Sequence, residues 1–203
     1  MAGSDVTAVI ISDEVALDAD GISTAAAVGN NAALTIGGAL ASGGSVTNAS
    51  GRQVTILSAG NDSSKSFTVV GTDVNGSALT ESVTGANAGT ATSSGYFKTI
   101  TSITAVGNPA GNVSAGINNN ALGVVFAGRC RLQGFSTVSG GTAGTINIRN
   151  ESATGTEIIQ SRTIGTDSTS EDPFVPDNGV LFTDGCFVTF VVGTVDLMMF
   201  YHA

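Results

Sequence analysis

The sequence is short of the residue types that most enzymes use for catalysis. Its 203 residues include one histidine, two cysteines and no tryptophan. A Ser-His-Asp or Cys-His relay needs a placed histidine, and a zinc site combines several closely spaced Cys or His ligands. Cys130, Cys186 and His202 show no such spacing. We therefore expect no enzyme activity, no catalytic residue, no cofactor and no metal.

Acidic residues offer two weaker candidates for a site. Asp172, Asp177 and Asp184 could flank a glycosidic bond. A chain without Trp and with 2 Tyr lacks sugar-stacking side chains, however, so solvated loops are expected there. Segment 18–21, Asp-Ala-Asp-Gly, is similar to the opening of a calcium loop, but asparagine stands where that loop needs a bidentate glutamate. Ordinary turns are the expectation in both places.

Charged residues are scarce and mostly acidic. They form 11% of the chain, with 16 Asp and Glu against 7 Lys and Arg, which gives a net charge of −9. Nucleic-acid binding needs clustered basic side chains, and the densest basic group here is Arg129 with Arg131. No apolar run approaches the ~18 residues that cross a bilayer, and the first twenty residues hold acids but no base, unlike a secretory leader. We expect cytoplasmic synthesis, no membrane partner and no direct nucleic-acid contact.

The two cysteines are expected to be buried free thiols. Disulfides are uncommon in cytosolic proteins, and an isolated Cys packs well as a small apolar group. The spacing of Cys130 and Cys186 leaves their redox state open.

Glycine and short apolar runs dominate the rest of the sequence. The chain has 28 Gly, 41% hydrophobic residues and a mean hydropathy of +0.29, which is too apolar for intrinsic disorder. With 3 Pro and no three-residue glycine period, it is not collagen-like. The apolar runs are separated by Gly, Asn and Asp, which is typical of sandwiches and barrels. The pattern predicts an all-β protein with two small β-sandwich or barrel-like domains preceded by an extended N-terminal arm.

The predicted boundaries divide the chain into four segments. An arm covers 1–25, a Gly/Thr-rich β domain 26–117, an Asn linker 118–120 and a C-terminal β-sandwich domain 121–203. The arm joins a β-prone stretch to an acidic segment, so we expect it to become ordered by docking on another surface, as strand addition to a neighbour's sheet. Its predicted partner-binding residues are Val6, Val9, Ile10 and Ile11.

One hairpin can be predicted in detail. Segment 73–76, Asp-Val-Asn-Gly, fits a three-residue loop in which Asn75 and Gly76 form a type I turn with a G1 bulge and Gly76 is left-handed. That register sets Phe67 opposite Val83. A two-residue loop would instead mix apolar and polar side chains on both faces.

The C-terminal strands are apolar on both faces. Most of the 9 Phe lie in the last third of the chain, as Phe135, Phe174, Phe182, Phe187, Phe190 and Phe200. Runs of this kind are typical of strands that are covered on both sides. Either the larger core or a subunit interface is expected here, because an obligate interface resembles a domain core.

The most distinctive stretches lie between residues 51 and 103. They are 51–62, 67–69, 71–73, 75–76, 78–81, 85–90 and 97–103. Together they resemble a segment common in small virion structural proteins of tailed bacteriophages, notably marine and cyanobacterial ones. Residues 180–182 and 196–201 are similar in style to the β-domains of phage decoration and tail proteins.

The resemblance implies a particle component that binds other subunits. We expect a capsid decoration, or cement, protein on the virion exterior that binds the major capsid protein and forms a homo-oligomer, a trimer by family analogy. The alternative is a tail or fibre component that acts as a structural adaptor or host-binding tip. Low charge and short side chains suit a coat protein, because large contacts then cost little side-chain entropy.

Overall fold

The protein is built from antiparallel β-strands. The structure is a computed structural model, and it describes residues 5–12, 17–163, 165, 169–171, 173–191 and 195–203. The predicted all-β class is confirmed. In chain order the strands are β1 (Thr7–Ser12), β2 (Asp18–Ala26), β3 (Ala41–Ser42), β4 (Ser45–Ser58), β5 (Ser66–Thr72), β6 (Ala78–Thr84), β7 (Thr90–Thr92), β8 (Phe97–Val106), β9 (Val113–Phe126), β10 (Cys130–Ser139), β11 (Gly144–Asn150), β12 (Glu157–Thr163), β13 (Thr169–Glu171), β14 (Val180–Phe182), β15 (Cys186–Val191) and β16 (Val195–His202).

The chain forms two compact units. Ala16–Asn118 is the continuous unit, and Met1–Val15 together with Asn119–Ala203 is the split unit. The predicted arm 1–25 is therefore not one segment, because β1 belongs to the split unit and β2 to the continuous unit. The physical reason is that each strand finds a different sheet to pair with.

The predicted linker at 118–120 lies inside a strand. These residues are part of β9, whose first half belongs to the continuous unit and whose second half belongs to the split unit. Asn118 donates a hydrogen bond from its side-chain amide to the side-chain oxygen of Gln53 at 2.8 Å. A polar side chain with such a partner does not interrupt the strand. No linker therefore separates the predicted domains 26–117 and 121–203.

The continuous unit has the strand order β9–β4–β8–β5–β6, with β2 on β9 and with β3 and β7 on β4. The β5–β6 pair has the predicted register, with Phe67 opposite Val83. Alternate residues of β5 are buried, as the two-residue period of a strand requires. The largest fully buried side chains of this unit are Ile22, Ile56, Phe67, Phe97, Ile100, Ile103 and Ile117.

The turn between β5 and β6 is a bulged three-residue loop. The N–H of Gly76 donates to the carbonyl of Asp73 at 3.1 Å, and the N–H of Asp73 donates to the carbonyl of Ser77 at 2.9 Å. The Asp73 carboxylate accepts from the N–H of Asn75 at 2.9 Å. Gly76 has φ +82°, the left-handed conformation that the sequence predicts.

The split unit is a sandwich of two sheets. One sheet has the order β1–β16–β10, with β13 and β14 both paired to β10, and the other has the order β12–β11–β15–β9. Buried side chains of both sheets form one apolar cluster: Ile11, Ala121, Val125, Cys130, Leu132, Phe135, Ile146, Ile148, Phe182, Cys186, Val188, Phe190, Leu197 and Met199. The prediction of buried free thiols at Cys130 and Cys186 is confirmed.

Among the strands that the structure describes, β1 lies at the edge of the first sheet. It pairs along its whole length with β16, so it docks on its own chain. Ile11 is 6% exposed and covers Gly123, where a Cβ atom would lie 2.5 Å from Cγ2 of Ile11. The absence of a side chain at Gly123 therefore makes room for Ile11.

Candidate interaction surface

The candidate site is the face of the β1–β16–β10 sheet that points away from the core, which we call the outer face. Strand β16 alternates between the two faces. Leu197 and Met199 are fully buried against the second sheet, whereas Met198 between them is 41% exposed. This follows from the two-residue period of a strand, which sends successive side chains to opposite faces.

Apolar side chains of neighbouring strands lie side by side on the outer face. Ile10, which is 65% exposed, lies opposite Met198, and Ala8 lies opposite Phe200. On the other side of β16, Gly134 lies opposite Phe200. The adjacent apolar residues of the outer face are Ala8, Ile10, Met198 and Phe200. On the neighbouring strands Ser136 lies opposite Met198, Val138 opposite Asp196 and Leu181 opposite Arg131. An apolar patch at a surface is typical of an interaction site.

Charged side chains stand at the two ends of the outer face. At one end Asp196 lies opposite Val138, and at the other end Arg131 lies opposite His202. The guanidinium of Arg131 donates to the carbonyl of Asn178 at 3.1 Å, which fixes its position. The outer face thus has an acidic end, an apolar middle and a basic end.

The four predicted arm residues do not form one binding surface. Val6 precedes β1 and is 45% exposed, and Ile10 lies on the outer face. Val9 and Ile11 point into the sandwich. The predicted turn residues belong to the continuous unit and form its β5–β6 hairpin. The apolar pattern of β16 includes Met198 and Phe200 of the outer face, but it does not show which of the strand's two faces is exposed.

A separate exposed aromatic residue lies in the loop between β13 and β14. Phe174 is 87% exposed, whereas Val175 packs against the apolar cluster of the split unit. Pro173 and Pro176 restrict the backbone on both sides of this pair, and the N–H of Gly179 donates to the carbonyl of Pro176 at 2.7 Å. Of the two alternatives expected for the C-terminal phenylalanines, core or subunit interface, Phe174 does not belong to the core. The two flanking prolines were the available signal for a loop.

The acidic residues that were considered for sugar chemistry lie in turns or outside the described residues. Asp172 is outside them, and Asp177 is in the turn before β14. The carboxylate of Asp184 accepts hydrogen bonds from the Thr183 hydroxyl at 2.5 Å and from the Asn150 amide at 3.1 Å. These hydrogen bonds lower the pKa of Asp184 and tie two turns together.

The acidic segment that was considered for calcium forms local contacts. A carboxylate oxygen of Asp18 accepts a hydrogen bond from the N–H of Asp20 at 3.3 Å. In the part of the chain that the structure describes, His, Cys, Asp and Glu side chains do not gather in groups of three or more that could hold a metal ion.

Searches against protein-family models, curated proteins and solved structures find no match to this chain. The described residues also include no helix with the length and apolar character needed to cross a bilayer. The fold and the outer face define the class: an all-β protein in which one sheet exposes an apolar face.

Proposed function

We propose that this chain is a structural subunit of a bacteriophage virion, a capsid decoration protein that binds the outside of the major capsid shell and stabilises it. The apolar outer face carries this proposal, with Ile10 at 65% and Met198 at 41% exposure. Apolar patches at a protein surface often mark interaction sites, so we expect a partner surface to bury this one. The stretches between residues 51 and 103 resemble small virion structural proteins of tailed bacteriophages, and this resemblance is the reason for proposing a bacteriophage virion.

The charges at the ends of the outer face support a contact between two copies of the chain. A second copy related by a two-fold axis, with its strands running in the opposite direction, would place Asp196 of each copy near Arg131 of the other. The apolar middle keeps repulsion low between subunits that each carry a net charge of −9. The proposed assembly is a homo-oligomer, and family analogy gives a trimer as the alternative to this two-fold contact.

The open edge of β1 supports a contact with the capsid shell. An edge strand presents backbone groups on its open side that can pair with a strand of another protein, and in β1 this concerns Thr7 to Ile11. Natural edge strands are commonly protected by Lys or Pro, and β1, Thr-Ala-Val-Ile-Ile-Ser, contains neither. We propose that a strand of the major capsid protein adds to β1. This replaces addition by a free arm, because β1 is already docked in its own sheet.

Two substitutions on the outer face test the proposal. Ile10→Asp and Met198→Asp each put a charge in the apolar middle, and we expect at least a tenfold loss of self-association. Capsid binding should fall with it, because an oligomer holds the shell through more than one β1 edge. Because both side chains are exposed, the melting temperature should change little. The assays are sedimentation velocity and co-sedimentation with purified capsids that lack decoration protein.

Val106→Asp is the matched control. Val106 is 44% exposed, a fraction similar to the 41% of Met198. It lies on β8 in the continuous unit. It should bind like the wild type. If both outer-face variants also kept full self-association and capsid binding, the proposal would be wrong.

The exposed Phe174 favours the second candidate function, a tail or fibre adaptor. Exposed aromatic side chains often become the energetic centre of an interface, and a loop between prolines presents one with little entropy cost. The number of copies in purified particles separates the two functions. A number comparable with that of the major capsid protein supports decoration, whereas a few copies per particle support a tail position. If the chain is a tail or fibre adaptor, Phe174→Ala should weaken its attachment to the tail and leave capsid binding unchanged.

A further inference from the structure

The two cysteines of the split unit lie together although they belong to different sheets. Cys130 is the first residue of β10, and Cys186 is the first residue of β15. They are 2% and 0% exposed and belong to one buried cluster. The side chain and backbone of Cys186 lower the pKa of Cys130, so the two residues are in contact. A disulfide bond would bring the two sulfurs to about 2.05 Å.

Two turns fix the positions of the pair. Cys130 follows the turn that leaves β9, and Cys186 follows the turn that leaves β14. A Cβ atom on Gly185 would lie 3.2 Å from the carbonyl oxygen of Phe126 and 3.3 Å from the carbonyl carbon of Ala127, so the two turns are in close contact. Gly185 has φ +123°, which suits glycine alone. The backbone of both turns therefore holds the sulfurs near each other.

We propose that Cys130 and Cys186 are a disulfide-forming pair that links the two sheets of the split unit when the protein meets a low-molecular-weight disulfide such as oxidised glutathione. The bond closes a loop that runs from β10 to β15 through the core of the unit. Because a closed loop restricts the unfolded chain, the oxidised form is the more stable one. The inference is independent of the proposed virion role. It suits a protein made in a reducing cytosol and later exposed to oxidant.

The chemistry consists of two thiol–disulfide exchanges. The thiolate of one cysteine attacks one sulfur of the glutathione disulfide, forms a mixed disulfide and releases one glutathione thiolate. The thiolate of the other cysteine then attacks the protein sulfur of the mixed disulfide, forms the Cys130–Cys186 bond and releases the second glutathione thiolate. The protein loses two electrons and two protons; the electrons reduce glutathione disulfide to two thiols, which take up protons according to the pH.

The contact between the two cysteines shifts the pKa of both thiols. It lowers the pKa of Cys130, in opposition to burial, and together with burial it raises the pKa of Cys186. Two thiols in contact titrate as a pair, so either thiolate can make the first attack. Once one cysteine is in a mixed disulfide, it no longer carries a negative charge beside the other, which can then ionise.

The experiment compares the folded protein with protein that is refolding, because burial limits access of the oxidant. Reduced protein is treated with oxidised glutathione at pH 8, either folded or during dilution from urea. We expect a mass decrease of about 2 Da, loss of both alkylatable thiols and a cross-linked peptide that contains Cys130 and Cys186, with faster reaction during refolding. The oxidised protein should melt about 5 °C or more above the reduced protein, and dithiothreitol should reverse both changes.

Single serine variants test that both thiols take part. Cys186→Ser and Cys130→Ser should each stop at the mixed disulfide. The proposal is overturned if the wild-type chain keeps both free thiols after refolding in excess oxidised glutathione, or if the oxidised form melts below the reduced form. Both of these measurements use the wild-type chain, so a variant that fails to fold does not weaken the test.

Discussion

Two neighbouring isoleucines of β1 provide a direct test of how the split unit is built. Ile10 and Ile11 have the same side chain and lie on the same strand, but they point to opposite faces of it. Ile10 is 65% exposed and Ile11 is 6% exposed. Ile11→Ala should therefore destabilise the split unit strongly, and Ile10→Ala should have little effect. The comparison isolates burial, because the change in strand propensity is the same in both variants.

The size of the effect follows from the contacts of Ile11. Its truncation to Ala removes three carbon atoms from the core, which at about 0.8 kcal/mol each amounts to about 2.4 kcal/mol. Gly123 beneath it has no side chain to fill the space, so a cavity remains. With that cavity the total becomes about 3–4 kcal/mol, within the range for buried isoleucines. For the exposed Ile10 we expect a change within about 0.5 kcal/mol.

The assay has to report on the split unit, because two units can unfold separately. Cys130 and Cys186 are both buried in its core, so alkylation of reduced protein along a urea gradient measures the opening of this unit. The labelling midpoint should fall to lower urea in Ile11→Ala and stay near that of the wild type in Ile10→Ala. Equal midpoints for the two variants would refute the docking of β1 with Ile11 inside the sandwich.

Three further substitutions test local features. Gly76→Val should cost about 1–3 kcal/mol, because a β-branched residue resists a positive φ, and Gly76→Asn should cost less; unchanged thermal unfolding of the valine variant would contradict the bulged turn. Gly71→Ala should prevent folding of the continuous unit, since a Cβ atom would overlap the carbonyl oxygen of Thr99; a native circular dichroism spectrum would contradict this. Asp184→Asn should remove the stability that the lowered pKa of Asp184 provides, which is complete above the ordinary aspartate pKa of 3.8 and is lost as the pH falls through the lower folded-state pKa. Urea unfolding of both proteins across this pH range checks the direction, and a wild-type advantage that grew towards low pH would contradict it.

The β5–β6 hairpin could be predicted because it depends on residues close in sequence. Gly76 is the residue of segment 73–76 that adopts a positive φ without strain. Once it is placed in the loop, the two-residue period sets Phe67 opposite Val83. Both pieces of information are contained in fewer than twenty consecutive residues, roughly the length of one hairpin.

The division into units depends on contacts between distant residues, which no local pattern encodes. Strand β1 pairs with β16 from the other end of the chain. Residues 118–120 have the composition of a turn, because asparagine side chains commonly bond to their own backbone. In the structure Asn118 instead bonds to Gln53 on another strand, so the partner that keeps β9 extended is remote in sequence.

The outer face shows why the sequence left core and interface open as alternatives for the C-terminal strands. The strand period assigns Leu197 and Met199 to one face and Met198 and Phe200 to the other, but all four side chains are apolar, so periodicity alone does not choose the buried face. The second sheet of the sandwich makes the choice, because it covers Leu197 and Met199 completely and leaves Met198 41% exposed. A strand that is apolar on both faces is suited to cover on both sides, and the chain's own second sheet covers one of them. Under the proposed function, another subunit covers the outer face of β16. The two alternatives, core and interface, then apply to opposite faces of the same strand.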